Sequence, residues 1–286
     1  MTEPPVLQVR NLRVTYTSDD GEFRAVRNVS VNLGRERLGI VGESGSGKST
    51  AGRAIMGLVG DAGRVEADLL QLGDINLLTL GERGLRKIRG KRIAMVLQDP
   101  KYSLDPVMSV GHQIAETHRA HLNSGKAAAK TAALEMLQAV RIHDPERVYA
   151  LYPHQVSGGM GQRIMIAMML IAGPDILIAD EPTSALDVTV QVQVLAIMDD
   201  LVRSRGMGLI LISHNLHLVS AFCDRVLIMY AGQIVETCEA RNLAAATHPY
   251  TRGLLASLPE LGHRRPELPQ LERDPAWLAD IVSPAQ

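Results

Sequence analysis

The sequence predicts an α/β fold, with a parallel-sheet core, an antiparallel β subdomain ahead of it and a helical subdomain inserted within it. Three observations carry this. Alternating strand patterns at 7–16 and 25–33 precede a short apolar strand at 38–41, which runs into a glycine-rich loop and a helical pattern at 51–58. Apolar runs ending in polar groups recur at 93–98, 176–181 and 209–214, as buried parallel strands do. Between about 100 and 174 the pattern is helical, and the proline at each limit marks a lobe boundary.

Taken in order, 18–22 is a polar turn between the two antiparallel strands. After strand 38–41 comes Gly42-Glu43-Ser44-Gly45-Ser46-Gly47-Lys48-Ser49-Thr50, in the strand, loop and helix context that a phosphate-binding loop requires. Its glycines let backbone N–H groups turn inward around phosphates. The helix N-terminus adds partial positive charge, Lys48 a full one, and the Ser49 hydroxyl can complete a Mg²⁺ shell. A chain with this loop binds a nucleoside triphosphate, which leaves switches, kinases, motors and transporters all open.

Further on, the buried strand at 176–181 delivers Asp180 and Glu181 at its C-terminal end, where open α/β sheets bind ligands. Asp180 is placed to hold Mg²⁺ through water, and Glu181 to polarise an attacking water as general base. Ser157-Gly158-Gly159-Met160 opens the apolar helix at 164–171, and a serine with two glycines at a helix start is an outward-facing anion site. The bland alternative is a flexible N-cap. Ser184-Ala185-Leu186-Asp187 follows the acids, His214 ends strand 209–213, and Gln98 follows strand 93–97. A histidine such as His214, taken singly, is as readily structural. Helices are expected at 109–122, 126–141 and 188–204, a strand at 225–230, and a hairpin turn at Ala231-Gly232.

This order of motifs resembles the ATP-binding cassette (ABC) ATPases over about 6–258. The wording is similar to the dipeptide, oligopeptide and nickel importer group: Gln98-Asp99-Pro100 with Ser103-Leu104-Asp105-Pro106, Tyr152-Pro153-His154-Gln155-Val156 before Ser157, and His248-Pro249-Tyr250-Thr251. Met160 with Met165-Ile166-Ala167 is closer to the first of that group's two ATPase subunits. The resemblance implies core residues at 1–98 and 176–258, a helical subdomain with the signature at 99–175, and a proline-rich tail at 259–286.

It also implies ATP and Mg²⁺ as cofactors, with Ser49, Gln98 and Asp180 about the metal and Tyr16 stacking on adenine. A plain surface tyrosine is the alternative for Tyr16. ATP held by one phosphate loop would be closed over by Ser157, Gly158 and Gly159 of a second, facing cassette. Gln98 would sense the γ-phosphate, His214 contact it, Glu181 polarise water and Asp187 link the two sites. The implied partners are a second, non-identical ATPase subunit and two transmembrane permease subunits, met near 101–107, with an extracytoplasmic solute-binding protein acting indirectly. The implied place is peripheral, on the cytoplasmic face of the plasma membrane.

Composition sets limits. A chain of 286 residues that is 46% hydrophobic can bury a full core and a small second lobe. A net charge of −1 argues against nucleic acid as the main partner. No apolar run reaches membrane-helix length, no signal-peptide pattern opens the chain, and membrane attachment is expected through partners. Cys223 and Cys238 offer no disulfide framework, and no iron–sulfur cluster is expected, because no cysteine follows Cys238. His112, His118 and His121 read as a solvated helix face ahead of a metal site.

Two departures from the family pattern stand out: Gly161 where an arginine is usual, and Asn215 where an aspartate is usual. The rival classes are a non-transport ABC ATPase of DNA repair or translation, which would carry a long coiled coil or two fused cassettes, and a P-loop kinase, which has no use for the signature.

Overall fold

The computed structural model describes residues 4–19, 21–98, 103–257 and 274–278. The expected tail at 259–286 therefore lies outside the described residues apart from 274–278, as do residues 99–100 and the first two residues, 101–102, of the docking segment expected near 101–107. In chain order come β1 (Leu7–Ser18), β2 (Gly21–Leu33), β3 (Arg37–Val41), α1 (Lys48–Ile55), β4 (Gly63–Glu66), β5 (Leu69–Leu72) and β6 (Ile75–Asn76). Then follow α2 (Glu82–Ile88), β7 (Ile93–Val96), α3 (Val110–Leu122), α4 (Lys126–Ala139), α5 (Pro145–Tyr149), α6 (Gly158–Leu170), β8 (Ile176–Asp180) and α7 (Val188–Ser204). The last are β9 (Gly208–Ser213), α8 (Leu216–Phe222), β10 (Arg225–Tyr230), β11 (Gln233–Glu239) and α9 (Pro249–Ala256). The chain divides into two compact units, one of Met1–Thr79 with Leu211–Gln286, the other of Leu80–Ile210.

In the first unit an antiparallel sheet runs β2-β1-β5-β6, with β4 also on β1. Leu7, Val9, Leu12 and Val14 are buried while Arg10 and Arg13 face water, the period-two pattern of a half-buried strand. Asn11 and Asn28 lie in the left-handed region where the β1–β2 register slips, so the two strands bulge. The polar stretch at 18–22 is tighter than expected, because pairing continues to Ser18 opposite Gly21. Strands β4 to β6 have no counterpart among the sequence expectations. They are too short for periodicity to register; β4 and β5 are held by pairing to β1, and β6 by pairing to β5.

Also in this unit, β3 pairs in parallel with β10, and β10 pairs antiparallel with β11 through the turn Ala231-Gly232. Both turn residues have positive φ (45° and 85°), as a type I′ hairpin demands. Helix α1 begins at Lys48, earlier than the apolar pattern at 51–58 indicates, and ends earlier too. Gly57 turns left-handed (φ 64°), its N–H reaching the Ala54 carbonyl while the Leu58 N–H reaches Arg53, which is a Schellman stop.

In the second unit β7 and β8 pair in parallel, with Val96 opposite Ala179. Helices α3, α4 and α6 pack together, burying Ile114, Leu137, Ile164, Met165 and Ile166. Helix α4 stops at Ala139, two residues short of expectation, and Arg141 carries the left-handed turn (φ 60°) that follows it. Arg92 pairs with Asp175, tying the start of β7 to the residue before β8.

Candidate active site

The first unit builds the phosphate loop. Strand β3 ends at the buried Val41, and Gly42 continues it against β10: a Cβ there would sit 2.1 Å from the Met229 carbonyl oxygen. Gly47 caps α1 with φ 97°, and a Cβ there would lie 2.3 Å from the Ala25 carbonyl. Only glycine fits such a position. Lys48 is 5% exposed, and its Nζ donates to the Gly42 carbonyl (2.8 Å), the Glu43 carbonyl (2.7 Å) and Ser46 Oγ (3.3 Å). The side chain thus lies back along the inside of the loop, its charge held at the loop's centre. Ser49 and Thr50 occupy the first turn of α1, half-buried.

Two outside elements hold the loop. The Gly232 N–H donates to the Ser46 carbonyl (2.9 Å), and the Arg27 N–H donates to the Gly232 carbonyl (2.7 Å), so the β10–β11 turn bridges β2 and the loop. The Glu43 N–H donates to the Tyr250 hydroxyl at 3.0 Å. Beside Gly45, where a Cβ would meet nothing within 4 Å, a cavity of about 420 Å³ is lined by Phe23, Arg24, Arg27 and Gly232 among others. Phe23 is 64% exposed there. The sequence pattern did not single it out, although it is the cross-strand partner of Tyr16. Tyr16 itself is half-buried, its ring against Gly63.

His214 is exposed immediately after β9. The next residue, Asn215, caps α8, its side-chain oxygen accepting from the Leu218 N–H (3.1 Å). An aspartate would accept the same bond, so this departure leaves the turn intact.

In the second unit, Gln98 follows β7 and Asp180 ends β8, its neighbour in the sheet, so the amide and the carboxylate leave the same end of the strand pair. Asp180 is buried, while Gln98 is exposed. Glu181 takes a left-handed backbone (φ 48°), which for a non-glycine residue costs on the order of 1–3 kcal/mol and is typical of functional turns. Its carbonyl accepts from the N–H (3.3 Å) and hydroxyl (3.2 Å) of Ser184, which close the turn.

The signature and the Asp187 turn come together in this unit. Ser157 caps α6 through the Met160 N–H (3.3 Å), and Asp187 caps α7 through the Val190 N–H (3.0 Å). A Cβ at Gly159 would come 2.7 Å from Val190, and one at Gly158 would touch Leu186, so the two helix starts lie side by side. Both capping residues are exposed. Arg163 on α6 donates to the Gln193 side chain on α7 (2.8 Å), locking the pair. Gly161 is buried in the first turn of α6, its N–H on the Ser157 carbonyl (2.8 Å).

Two of the three histidines of α3, His118 and His121, pack against protein groups. His118 Nδ1 lies 2.7 Å from Ser124 Oγ. His121 packs on Gly90, and burial, with Lys91 nearby, pulls its pKa down.

A model of the ABC transporter family matches residues 26–184. The chain is 46% identical over 269 residues to the dipeptide transport ATP-binding protein DppD of Haemophilus influenzae, covering 93% of this chain and 82% of that protein. It is 47% identical over 265 residues to the glutathione import ATP-binding protein GsiA of Escherichia coli, covering 90% of this chain and 42% of that longer protein. Among solved structures, the dimeric post-hydrolysis state of the ATP-binding cassette MJ0796, bound to ADP and Pi, matches with a TM-score of 0.72. Identity there is 26%, over 82% of this chain and 99% of that one. The cbiO1 structure from Clostridium perfringens, part of the transporter complex cbiONQ, shares the fold at a TM-score of 0.69 and 24% identity, over 85% and 92% of the two chains.

Proposed function

This chain belongs to the ABC transporter family of ATP-hydrolysing cassettes, and from that premise we propose that it drives a peptide-class importer as one of two non-identical ATPase subunits. The observation that carries this reading is the paired, exposed helix starts at Ser157 and Asp187. A solitary nucleotide enzyme needs one phosphate loop. A second outward anion-binding face, capped and braced on a neighbouring helix, suits ATP held by another cassette.

Each residue then has a role. The loop residues Gly42, Glu43, Ser44, Gly45, Ser46, Gly47 and Thr50, together with Lys48, grip the β- and γ-phosphates. Tyr16 would stack on adenine, and Phe23, its cross-strand partner, would add apolar surface at the base end. Ser49, Gln98 and Asp180 offer hard oxygen donors only, the set that Mg²⁺ prefers, and the metal would supply charge neutralisation at the β- and γ-oxygens. Glu181 takes the proton of the attacking water, and His214 donates to the γ-phosphate. Ser157, Gly158 and Gly159 close over the partner's ATP, and Asp187 connects the two sites. The reaction is phosphoryl transfer to water, governed by positioning and charge stabilisation. ATP is then the adhesive between cassettes, and its loss opens them.

Among the described residues no helix is long and apolar enough to cross a membrane. In the proposed assembly, coupling to a solute passes through partner subunits. The two permease subunits would dock on the segment after Gln98, at the cytoplasmic face, with a solute-binding protein delivering the cargo. The names of DppD and GsiA suggest di- or tripeptide-like solutes. Affinity purification of the tagged chain from its native membrane tests the assembly. Co-purification of a different cassette and two membrane subunits is the expected result. An active complex containing only this chain would overturn the heteromeric arrangement.

A further inference from the structure

We propose that Tyr250, far from the loop in sequence, is a positioning residue for the phosphate loop, holding the peptide plane that orients Lys48. The inference rests on the reading of that loop as the nucleotide site. The peptide joining Gly42 to Glu43 is bonded on both sides: its N–H donates to the Tyr250 hydroxyl (3.0 Å), and its C=O accepts from Lys48 Nζ (2.8 Å). A trans peptide is planar, with N–H and C=O pointing in opposite directions, so fixing one group fixes the other. The next carbonyl, that of Glu43, accepts from Lys48 Nζ (2.7 Å) and from the Ser46 N–H (3.2 Å). A turn of the first plane would therefore move both acceptors that aim the ammonium.

Tyr250 is itself locked. It is the second residue of α9, after Pro249, whose ring pre-sets the helical backbone. Its N–H donates to the His248 ring (3.2 Å), and Glu236 accepts from the Thr247 and His248 N–H groups just ahead (2.7 and 3.3 Å). The Tyr250 side chain is wholly buried (0% exposed). Its ring lies 4.6 Å from that of Tyr230 and 6.1 Å from Trp277, between centroids. A phenol buried this deeply needs a partner for its hydroxyl, and a loop amide needs an acceptor; each supplies the other. Since 207 residues separate the two, the bond anchors the loop to the far end of the unit.

Tyr250→Phe keeps the ring stack and removes the hydroxyl that accepts from the Glu43 N–H. In calorimetric titrations of the full chain with MgATP, that change is expected to weaken binding by about five- to tenfold, the weight of one lost buried bond. Tyr230→Phe, which removes a hydroxyl from the same cluster without touching Glu43, should bind as wild type. The Glu43 amide should be protected from hydrogen exchange in the wild-type chain and should exchange at least about tenfold faster in Tyr250→Phe. In the membrane complex the loss should fall on KM, with kcat within about twofold.

Wild-type affinity of Tyr250→Phe, in a chain where Lys48→Ala destroys binding, would overturn the proposal. So would an unchanged exchange rate of the Glu43 amide in Tyr250→Phe, which is the mark of packing alone. If Lys48→Ala also bound normally, the loop reading would fail and take the proposal with it. Should Tyr250→Phe not fold, hydrogen exchange of the wild-type Glu43 amide decides: protection supports the bond, and exchange at the rate of an open loop overturns the proposal.

Discussion

Gly47→Ala should cost markedly more than Gly45→Ala, although both glycines sit in the same loop with left-handed backbones (φ 97° and 80°). Each alanine carries the left-handed penalty of about 1–2 kcal/mol. At Gly45 nothing else is met, since no atom lies within 4 Å of the new methyl. At Gly47 the methyl would sit 2.3 Å from the Ala25 carbonyl and 3.0 Å from Met229, so β2 or the loop must give way. Overpacking of that kind costs roughly 1–3 kcal/mol more. The expected totals are about 1–2 kcal/mol for Gly45→Ala and about 2–5 kcal/mol for Gly47→Ala. Urea unfolding of the two full-length variants, with matched slopes, measures the difference. MgATP affinity should fall further for Gly47→Ala, since Gly47 caps α1 directly before Lys48. Equal destabilisation by the two alanines would refute the claim that the carbonyl of Ala25 fixes the loop's geometry.

Lys48→Ala should weaken MgATP binding by at least about a hundredfold, from two charge-assisted bonds of roughly 1.5–3 kcal/mol each; titration with a fluorescent ATP analogue checks this. Ser157→Arg should leave nucleotide binding to this chain's own loop intact while slowing turnover at the partner's site, read by single-site trapping in the purified complex. Burial pushes the Cys223 thiol up to about 12, so Cys223 should resist iodoacetamide at pH 8 in the native chain and react in the unfolded one, read by peptide mapping that separates it from the half-buried Cys238. Because the folded pKa is the higher one, Cys223 favours the fold fully at neutral pH. That contribution should be lost as pH rises from about 9 towards 12, a slope that Cys223→Ala removes in pH-dependent melting.

The phosphate loop, the acid pair on β8 and the helix starting after Ser157 were legible in the sequence because each is a local pattern: glycines at fixed offsets, an apolar run, a capping serine. Even there the limits of α1 were misjudged, since Gly57 and its Schellman bonds outrank the apolar pattern. Strands β4 to β6 were not legible. They exist because β1 offers edges to β4 and β5, and β5 in turn to β6, and segments of two to four residues carry no period of their own. The left-handed Glu181 was equally hidden, for nothing in its residue type announces φ 48°. Phe23 escaped notice because its value comes from lying beside Gly45 in space. The hold of Tyr250 on Glu43 spans nearly the whole chain, beyond the reach of any sequence window. Asn215 shows the converse: an apparent departure keeps its function, because the cap needs a side-chain oxygen and either residue supplies one.

The most direct test of the account is ATP turnover by the purified membrane complex carrying Glu181→Gln in this chain. Glutamine keeps the size and polarity of the side chain and cannot take a proton from water. MgATP binding should persist. Turnover at the site served by Glu181 should fall by about 10² to 10⁴, equivalent to roughly 3–5 kcal/mol of barrier. Wild-type hydrolysis at that site, with binding intact, would contradict the assignment of this chain as an ATPase that works through Glu181.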